Sequence, residues 1–231
     1  MLSRSPYVQP FPLRLLSKPH RSVAEQSCEK DGCAGQRPSS RNVLISDCVF
    51  HANYRQVRHK PHHAWELQLT HQTALTWPAP RLQGISVVAA INVMVSNTTL
   101  SSTGVPWGTP PMSGADLEPD VFYQGMTNVS FEGCRFLDNR GSGVNMYLRQ
   151  STSKSPPVSA TFRDCTIDGT GRGGFELGAM LPNVSGPGVR IENCHVRNTT
   201  GFGLSIFDKS ASAAPIHVAD SSFAGTSDPF V

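Results

Sequence analysis

Apolar positions in this chain follow an alternating pattern that recurs six times between Asn42 and Phe223. In each copy, an apolar or small residue stands at positions x, x+2, x+5 and x+7. Alternation with a period of two indicates a β-strand, and the shift of phase between x+2 and x+5 indicates a bend. The residues at position x of the six copies are Val43, Val93, Val129, Ala160, Val189 and Ile216. The pattern therefore predicts two short strands per copy, joined by a turn.

The bend in each copy carries a residue type that tolerates left-handed backbone or caps a turn with its side chain. These residues are Asp47, Asn97, Gly133, Asp164, Asn193 and Asp220. A third strand, with the pattern glycine, apolar, polar, apolar, follows each of the first five copies, as in Gly143-Val144-Asn145-Met146. The sixth copy stops where its third strand would begin.

Three short strands per copy, with like residues in columns, predict an all-β parallel β-helix. Neighbouring rungs of such a solenoid lie about 4.8 Å apart, and each rung buries its inward side chains against its neighbours. We expect about six rungs over residues 42–231. No capping element is recognised before the first copy or after the last, so the β-helix is expected to be incomplete at both ends.

Three stretches carry a resemblance to a known family: Cys48 to Gln56, Gly84 to Val87, and Gly114 to Pro119. On these residues the chain resembles the right-handed parallel β-helix proteins of the pectate-lyase-like superfamily, in particular uncharacterised right-handed β-helix repeat proteins. The resemblance covers roughly residues 42–56 and 84–231. It implies a right-handed solenoid and is far more specific for the fold than for an activity.

Residues 57–83 do not follow the repeat, and joining Gln56 directly to Gly84 restores it. The segment holds four of the eight histidines and two of the three tryptophans, with Glu66 as its single acid. We interpret it as a loop insertion derived from a retained in-frame intron, since valine codons begin with GT and a glutamine codon can end in AG. The alternative is a genuine insertion with a histidine metal site, although the segment has no cysteine and Glu66 is its single carboxylate.

The N-terminal segment, residues 1–41, is outside the repeat. Its first 24 residues contain no acid and several arginines and serines, which fits an organelle transit peptide; the alternative is a poorly ordered tail. No clear signal peptide is present, so extracellular and organellar locations both stay open. A net charge of +3 gives no argument for nucleic acid, and no apolar run is long enough for a membrane span. We expect a monomer.

Four cysteines fall in the x+5 column of the repeat: Cys48, Cys134, Cys165 and Cys194. Free cysteine is among the most buried residue types, so we predict small, buried core residues at these positions. Cys134, Cys165 and Cys194 belong to consecutive copies, and at most one disulfide could form among the three.

The middle residue of each third strand is predicted to point outward, away from the core. This column contains Ser86, Asp116, Asn145, Glu176 and Ser205, and two residues further on stand Val88, Glu118, Tyr147, Gly178 and Phe207. We predict that Asp116, Glu118 and Glu176 are the catalytic residues of an exposed strand face. The predicted substrate-binding residues are Asn145 and Tyr147 on this face with Arg55, Arg140 and Arg172 in the turns that lead to it.

Carboxylates, an amide, an aromatic ring and guanidinium groups along one face suit a polysaccharide, in particular an acidic one. Paired carboxylates could serve as general acid and base in glycoside hydrolysis. They could instead hold Ca²⁺ against a uronate while an arginine or tyrosine abstracts a proton, as in a polysaccharide lyase. The alternative is a non-catalytic glycan-binding or structural β-helix, whose charges keep a long sheet soluble. The sequence leaves the choice between enzyme and binding protein open.

Overall fold

The computed structural model describes residues 40–47, 49–51, 67–69, 84–105, 110–182, 184–226 and 228–230. Within these ranges the chain is all-β, as predicted, and no helix is long and apolar enough to cross a bilayer. The strands are β1 Ser40–Ser46, β2 Val49–His51, β3 Leu67–Leu69, β4 Ile85–Val87, β5 Ala90–Ser96, β6 Thr99–Ser101, β7 Ala115–Leu117, β8 Met126–Glu132, β9 Arg135–Leu137, β10 Val144–Tyr147, β11 Ser159–Arg163, β12 Thr166–Asp168, β13 Gly173–Gly178, β14 Gly188–Glu192, β15 His195–Arg197, β16 Phe202–Phe207, β17 Ile216–Ala219, β18 Ser222–Ala224 and β19 Asp228–Phe230.

The strands form three sheets that run along the solenoid. The first sheet has the order β1-β5-β8-β11-β14-β17, the second β2-β6-β9-β12-β15-β18, and the third β3-β4-β7-β10-β13-β16-β19. Successive copies of the repeat pair in parallel, so the predicted parallel β-helix is confirmed as a β-solenoid, of about four turns. Its right-handedness and the number of about six rungs stay predictions.

Register in the first two sheets follows the columns that the sequence predicts. Val43 pairs with Val93, and Val129 pairs with Ala160. The apolar residues two positions further along these strands also pair with each other. In the second sheet Leu100 pairs with Phe136. The alternation places these side chains on the inner faces, because successive residues of a strand point to opposite sides. The inward residues of all three sheets form one buried core.

Two strands of the third sheet differ from the sequence prediction. Residues Asp228–Phe230 pair in parallel with β16, so the sixth copy does not stop short of its third strand. Residues Leu67–Leu69, from within the 57–83 insertion, pair antiparallel with β4 at the sheet edge. This added strand forms hydrogen bonds with backbone groups that the edge of the sheet would otherwise leave unpaired. The sequence did not predict it, because three residues are too few to show the alternation that identifies a strand. The rest of the insertion and residues 1–39 lie outside the described residues.

The bend residue between the first two strands of each copy has left-handed backbone, one of the two turn conformations that the sequence predicts. The six bend residues have φ values between 46° and 62°. Asparagine and aspartate reach this region because a short polar side chain can hydrogen-bond locally. Asn193 shows how the bends are tied together, since its Nδ2 donates to Oδ1 of Asp164 in the preceding copy at 2.6 Å.

The cysteine column is also confirmed where the structure describes it. Cys134, Cys165 and Cys194 are fully buried, are not disulfide-bonded and occupy equivalent corners of consecutive copies. Each Sγ lies within hydrogen-bonding distance of two carbonyl oxygens, one two residues earlier and one in the preceding copy; for Cys165 these are O of Arg163 at 3.2 Å and O of Phe131 at 3.4 Å. Hydrogen bonding to the two neighbouring thiols, together with burial, raises the pKa of Cys165. The column is therefore structural, and its fourth cysteine, Cys48, lies outside the described residues.

Candidate functional site

The polar column of the third sheet has the register that the sequence predicts. Asp116 pairs with Ser86 on one side and with Asn145 on the other. Asn145 pairs in turn with Glu176, and Glu176 with Ser205. We call these five residues, together with the column that starts at Val88 and continues through Glu118, Tyr147, Gly178 and Phe207, the carboxylate face. Its members come from five successive copies and therefore stack at the strand spacing of about 4.8 Å.

The prediction of an exposed strand face is wrong for most of the first column. Asp116 is 3% exposed and Glu176 is 7% exposed, although neither side chain belongs to the apolar core. Asn145 is partly buried, and the accessible members of the second column are Glu118, Tyr147 and Phe207. Alternation along a strand determines which way a side chain points but not what covers it. The accessible side chains of the face therefore belong mainly to the second column, and not to the column of Asp116 and Glu176 in which the sequence predicted two of the catalytic residues.

Hydrogen bonds engage both buried carboxylates. Asn145 Nδ2 donates to Oδ1 of Asp116 at 2.7 Å across neighbouring strands. Glu176 accepts from Ser142 Oγ at 2.9 Å through Oε2 and from the Arg172 guanidinium at 2.6 Å through Oε1. A buried carboxylate needs such partners, because desolvation of an unpaired charge is costly. These bonds fix the Asn145 amide and the Arg172 guanidinium in defined positions.

Glu118 differs from the other two carboxylates. It follows β7, where its backbone N–H continues the pairing by donating to Val87 O at 3.1 Å. Its side chain is partly buried. Partial desolvation, reinforced by the nearby negative charge of Asp120, raises the pKa of Glu118 above its usual value. A carboxyl group whose protonated form is favoured in this way is suited to donate a proton.

Two glycines of β13 allow aromatic rings from β16 to lie against the backbone of the preceding copy. A Cβ on Gly178 would be 2.1 Å from the Phe207 ring, and a Cβ on Gly173 would be 2.2 Å from the Phe202 ring. Phe207 also stacks on Tyr147, with the ring centroids 6.2 Å apart and the planes inclined by 29°. Sequence reasoning placed Phe207 and Gly178 in the right column but gave neither a role. The signal was a glycine in a column of larger side chains.

The arginines that the sequence predicts to bind substrate differ in whether they contact the carboxylate face. Arg140 and Arg172 are exposed and lie in turns that stack on one another, where Gly171 N–H donates to Asn139 O at 2.7 Å. Arg172 reaches the face through its ion pair with Glu176. Arg55 lies outside the described residues.

The carboxylate face, as described, offers protons and hydrogen bonds rather than a ready-made metal centre. Among the described residues, no group of three or more histidine, cysteine, aspartate or glutamate side chains is arranged to hold a metal ion. A Ca²⁺ ion needs six to eight oxygen ligands, so the substrate and water would have to supply most of them. Glu118 is the carboxylate that is accessible enough to join them.

The raised pKa of Glu118 has a consequence for stability. A carboxyl group that is more basic in the folded state binds more protons when folded, so stability falls as pH rises from 4.5 through the folded-state pKa. We expect Glu118→Gln to raise the melting temperature slightly at pH 7 and to leave it unchanged at pH 4. Thermal unfolding of both proteins between pH 4 and 8 checks this. If the melting temperatures of the two proteins depend on pH in the same way, the titration of Glu118 does not affect stability.

No protein-family model, curated protein or solved structure matches this chain.

Proposed function

We propose that this β-solenoid is a carbohydrate-active protein of the pectate-lyase-like kind, which binds an acidic polysaccharide on its carboxylate face and cleaves it as a lyase or glycosidase. The observation that carries the proposal is the combination of groups on one sheet. A partly buried carboxyl group of raised pKa, Glu118, adjoins an aromatic pair and a fixed amide, Asn145. A sugar polymer offers matching groups, namely glycosidic oxygens, apolar ring faces and hydroxyls.

The hydrogen bonds suggest distinct roles for the charged residues. Glu118 acts as the general acid that protonates the leaving glycosidic oxygen. Asp116 orients the Asn145 amide, which is then left to bind sugar hydroxyls with its remaining groups. Glu176 holds Arg172, whose side chain is 59% exposed, where the guanidinium meets a carboxylate of the polymer. Arginine is suited to this task because its planar fork binds carboxylates in a bidentate manner.

In the glycosidase form of the proposal, Glu118 protonates the leaving oxygen, and a water molecule attacks the sugar carbon and returns a proton to Glu118. Asp116 contributes through the Asn145 amide that it orients, because its own carboxylate is buried. In the lyase form, Glu118 would hold a Ca²⁺ ion, which would acidify the proton beside the uronate carboxylate; Tyr147 or Arg172 would take that proton as the bond to the glycosidic oxygen breaks and a double bond forms in the sugar.

A non-catalytic glycan-binding role is the second candidate, and one observation favours it. Asp116 and Glu176 are both buried and engaged in hydrogen bonds, which leaves Glu118 as the accessible carboxylate of the face. Such a protein would hold the polymer through Asn145, Tyr147 and the arginines without turnover.

Binding of a uronate hexasaccharide, measured by calorimetry with and without Ca²⁺, tests the proposal. We expect Arg172→Ala to weaken binding about tenfold, since a hydrogen bond to a charged group contributes about 1.5–3 kcal/mol. Arg197→Ala is the matched control, because Arg197 is equally exposed, at 59%, and pairs with Asp168 on a different sheet. Equal affinities of the two variants, or no binding by the unaltered protein, would contradict the proposal.

Analysis of the products separates the enzymatic forms from the binding role. A lyase leaves an unsaturated uronate that absorbs in the ultraviolet, whereas a glycosidase generates new reducing ends without that absorbance. Binding that yields neither product would assign the protein to the non-catalytic role.

A further inference from the structure

We infer that Tyr147 and Phe207 form a stacking platform for one sugar ring of the bound polymer. We also infer that the platform requires the missing side chain at Gly178. The inference rests on the proposed function and names a subsite within it. It starts from the ring contact between two copies that are not neighbours. Tyr147 and Phe207 belong to β10 and β16, and Gly178 of β13 stands between them in the pairing.

The missing side chain at position 178 is what brings the rings together. Any Cβ there would meet three atoms of the Phe207 ring at 2.1–2.7 Å, well inside van der Waals contact. With glycine, the far end of the Phe207 ring passes over the intervening residue and the ring reaches Tyr147, at a centroid separation of 6.2 Å. Glycine inside a strand costs stability through backbone entropy and lost packing, so its presence here has a definite structural effect.

The two rings are also accessible. Both are partly exposed, whereas the phenylalanines of the core, such as Phe131 and Phe175, are fully buried. The aromatic pair is therefore an apolar area on the outer side of the third sheet. Aromatic rings carry negative charge on their faces, which attracts the weakly positive C–H bonds on the flat side of a pyranose ring.

Polar groups border the platform on the sides where a sugar would present its hydroxyls. Glu118 precedes Tyr147 in the same column, and the partly buried Asn145 stands beside Tyr147 in the neighbouring column, whose Glu176 and Ser205 are buried. An apolar area edged by donors and acceptors fits an amphiphilic ring better than a purely apolar ligand. A sugar seated on the platform would place its linkage to the next residue toward Glu118.

Titration of the unaltered protein and of Phe207→Leu with a uronate hexasaccharide tests the inference. Leucine keeps an apolar side chain over Gly178 but removes the ring, so the fold is expected to persist. We expect about tenfold weaker binding, in line with the energy of a good aromatic contact. Phe122→Leu is the control, because that ring is exposed but lies outside the carboxylate face.

A double variant makes the role of Gly178 specific. In Gly178→Ala the added methyl displaces the Phe207 ring, so this variant alone should also bind about tenfold more weakly. Adding Phe207→Leu to Gly178→Ala should then cause little further loss, because the stacking has already been removed. Independent, additive effects would overturn the inference, as would an unchanged affinity of folded Phe207→Leu. Absence of binding by the unaltered protein would refute the proposed function itself.

Discussion

Replacement of Phe162 with alanine is expected to lower the free energy of unfolding by about 3–5 kcal/mol, the usual cost of removing a fully buried aromatic side chain. Phe162 lies at the centre of an aromatic stack. Its ring packs on Phe131 of the preceding copy at 5.3 Å, with the planes inclined by 15°, and meets Phe175 edge-on at 5.3 Å. The substitution therefore removes contacts between copies and across the interior at once.

In the solenoid this loss weakens both a copy and its interface with the preceding copy, because stability is approximately the sum of terms within copies and between neighbours. Chemical denaturation followed by circular dichroism measures the loss. Phe122→Ala provides the control, since its ring is 43% exposed and its removal should change stability little. Similar transition midpoints for the two variants would show that the aromatic stack does not hold the copies together.

For the proposed enzyme, Glu118→Gln is expected to reduce turnover of the polysaccharide by about 10²–10⁴-fold, the range that general acid catalysis contributes. Glutamine preserves the shape and most hydrogen bonds of the protonated acid but cannot donate its proton to the leaving oxygen. Binding of the polymer should therefore be nearly unchanged. Initial rates of cleavage, compared with affinities from calorimetry, separate the two effects.

The pH dependence gives this prediction a second readout. Because partial burial raises the pKa of Glu118, the protonated acid persists to higher pH than in an exposed glutamate. Activity should fall as pH rises through that raised pKa, and this limb of the profile should vanish in Glu118→Gln. Glu132→Gln, on the first sheet near Arg163, is the control and should retain full activity. Equal rates for the two variants would remove Glu118 from the reaction.

The sequence by itself determined the architecture and the alignment of the candidate site. Inward and outward positions of a strand alternate with a period of two, and like residues of a parallel solenoid must stack in columns. The pattern of apolar residues therefore sufficed to align Asp116 with Asn145 and Glu176. The same reasoning placed the three described cysteines in one buried column. These features depend on local periodicity, which a sequence displays directly.

The tertiary structure decided what covers each column and which groups interact across it. Burial of Asp116 and Glu176, the position of the Arg172 guanidinium and the raised pKa of Glu118 all depend on how side chains pack and bond with one another in three dimensions. The contact of Phe207 with Tyr147 depends on the missing side chain at Gly178, whose strand lies between the other two in the third sheet. Periodicity assigns a side chain to a face, but packing across that face determines its exposure and its electrostatic environment.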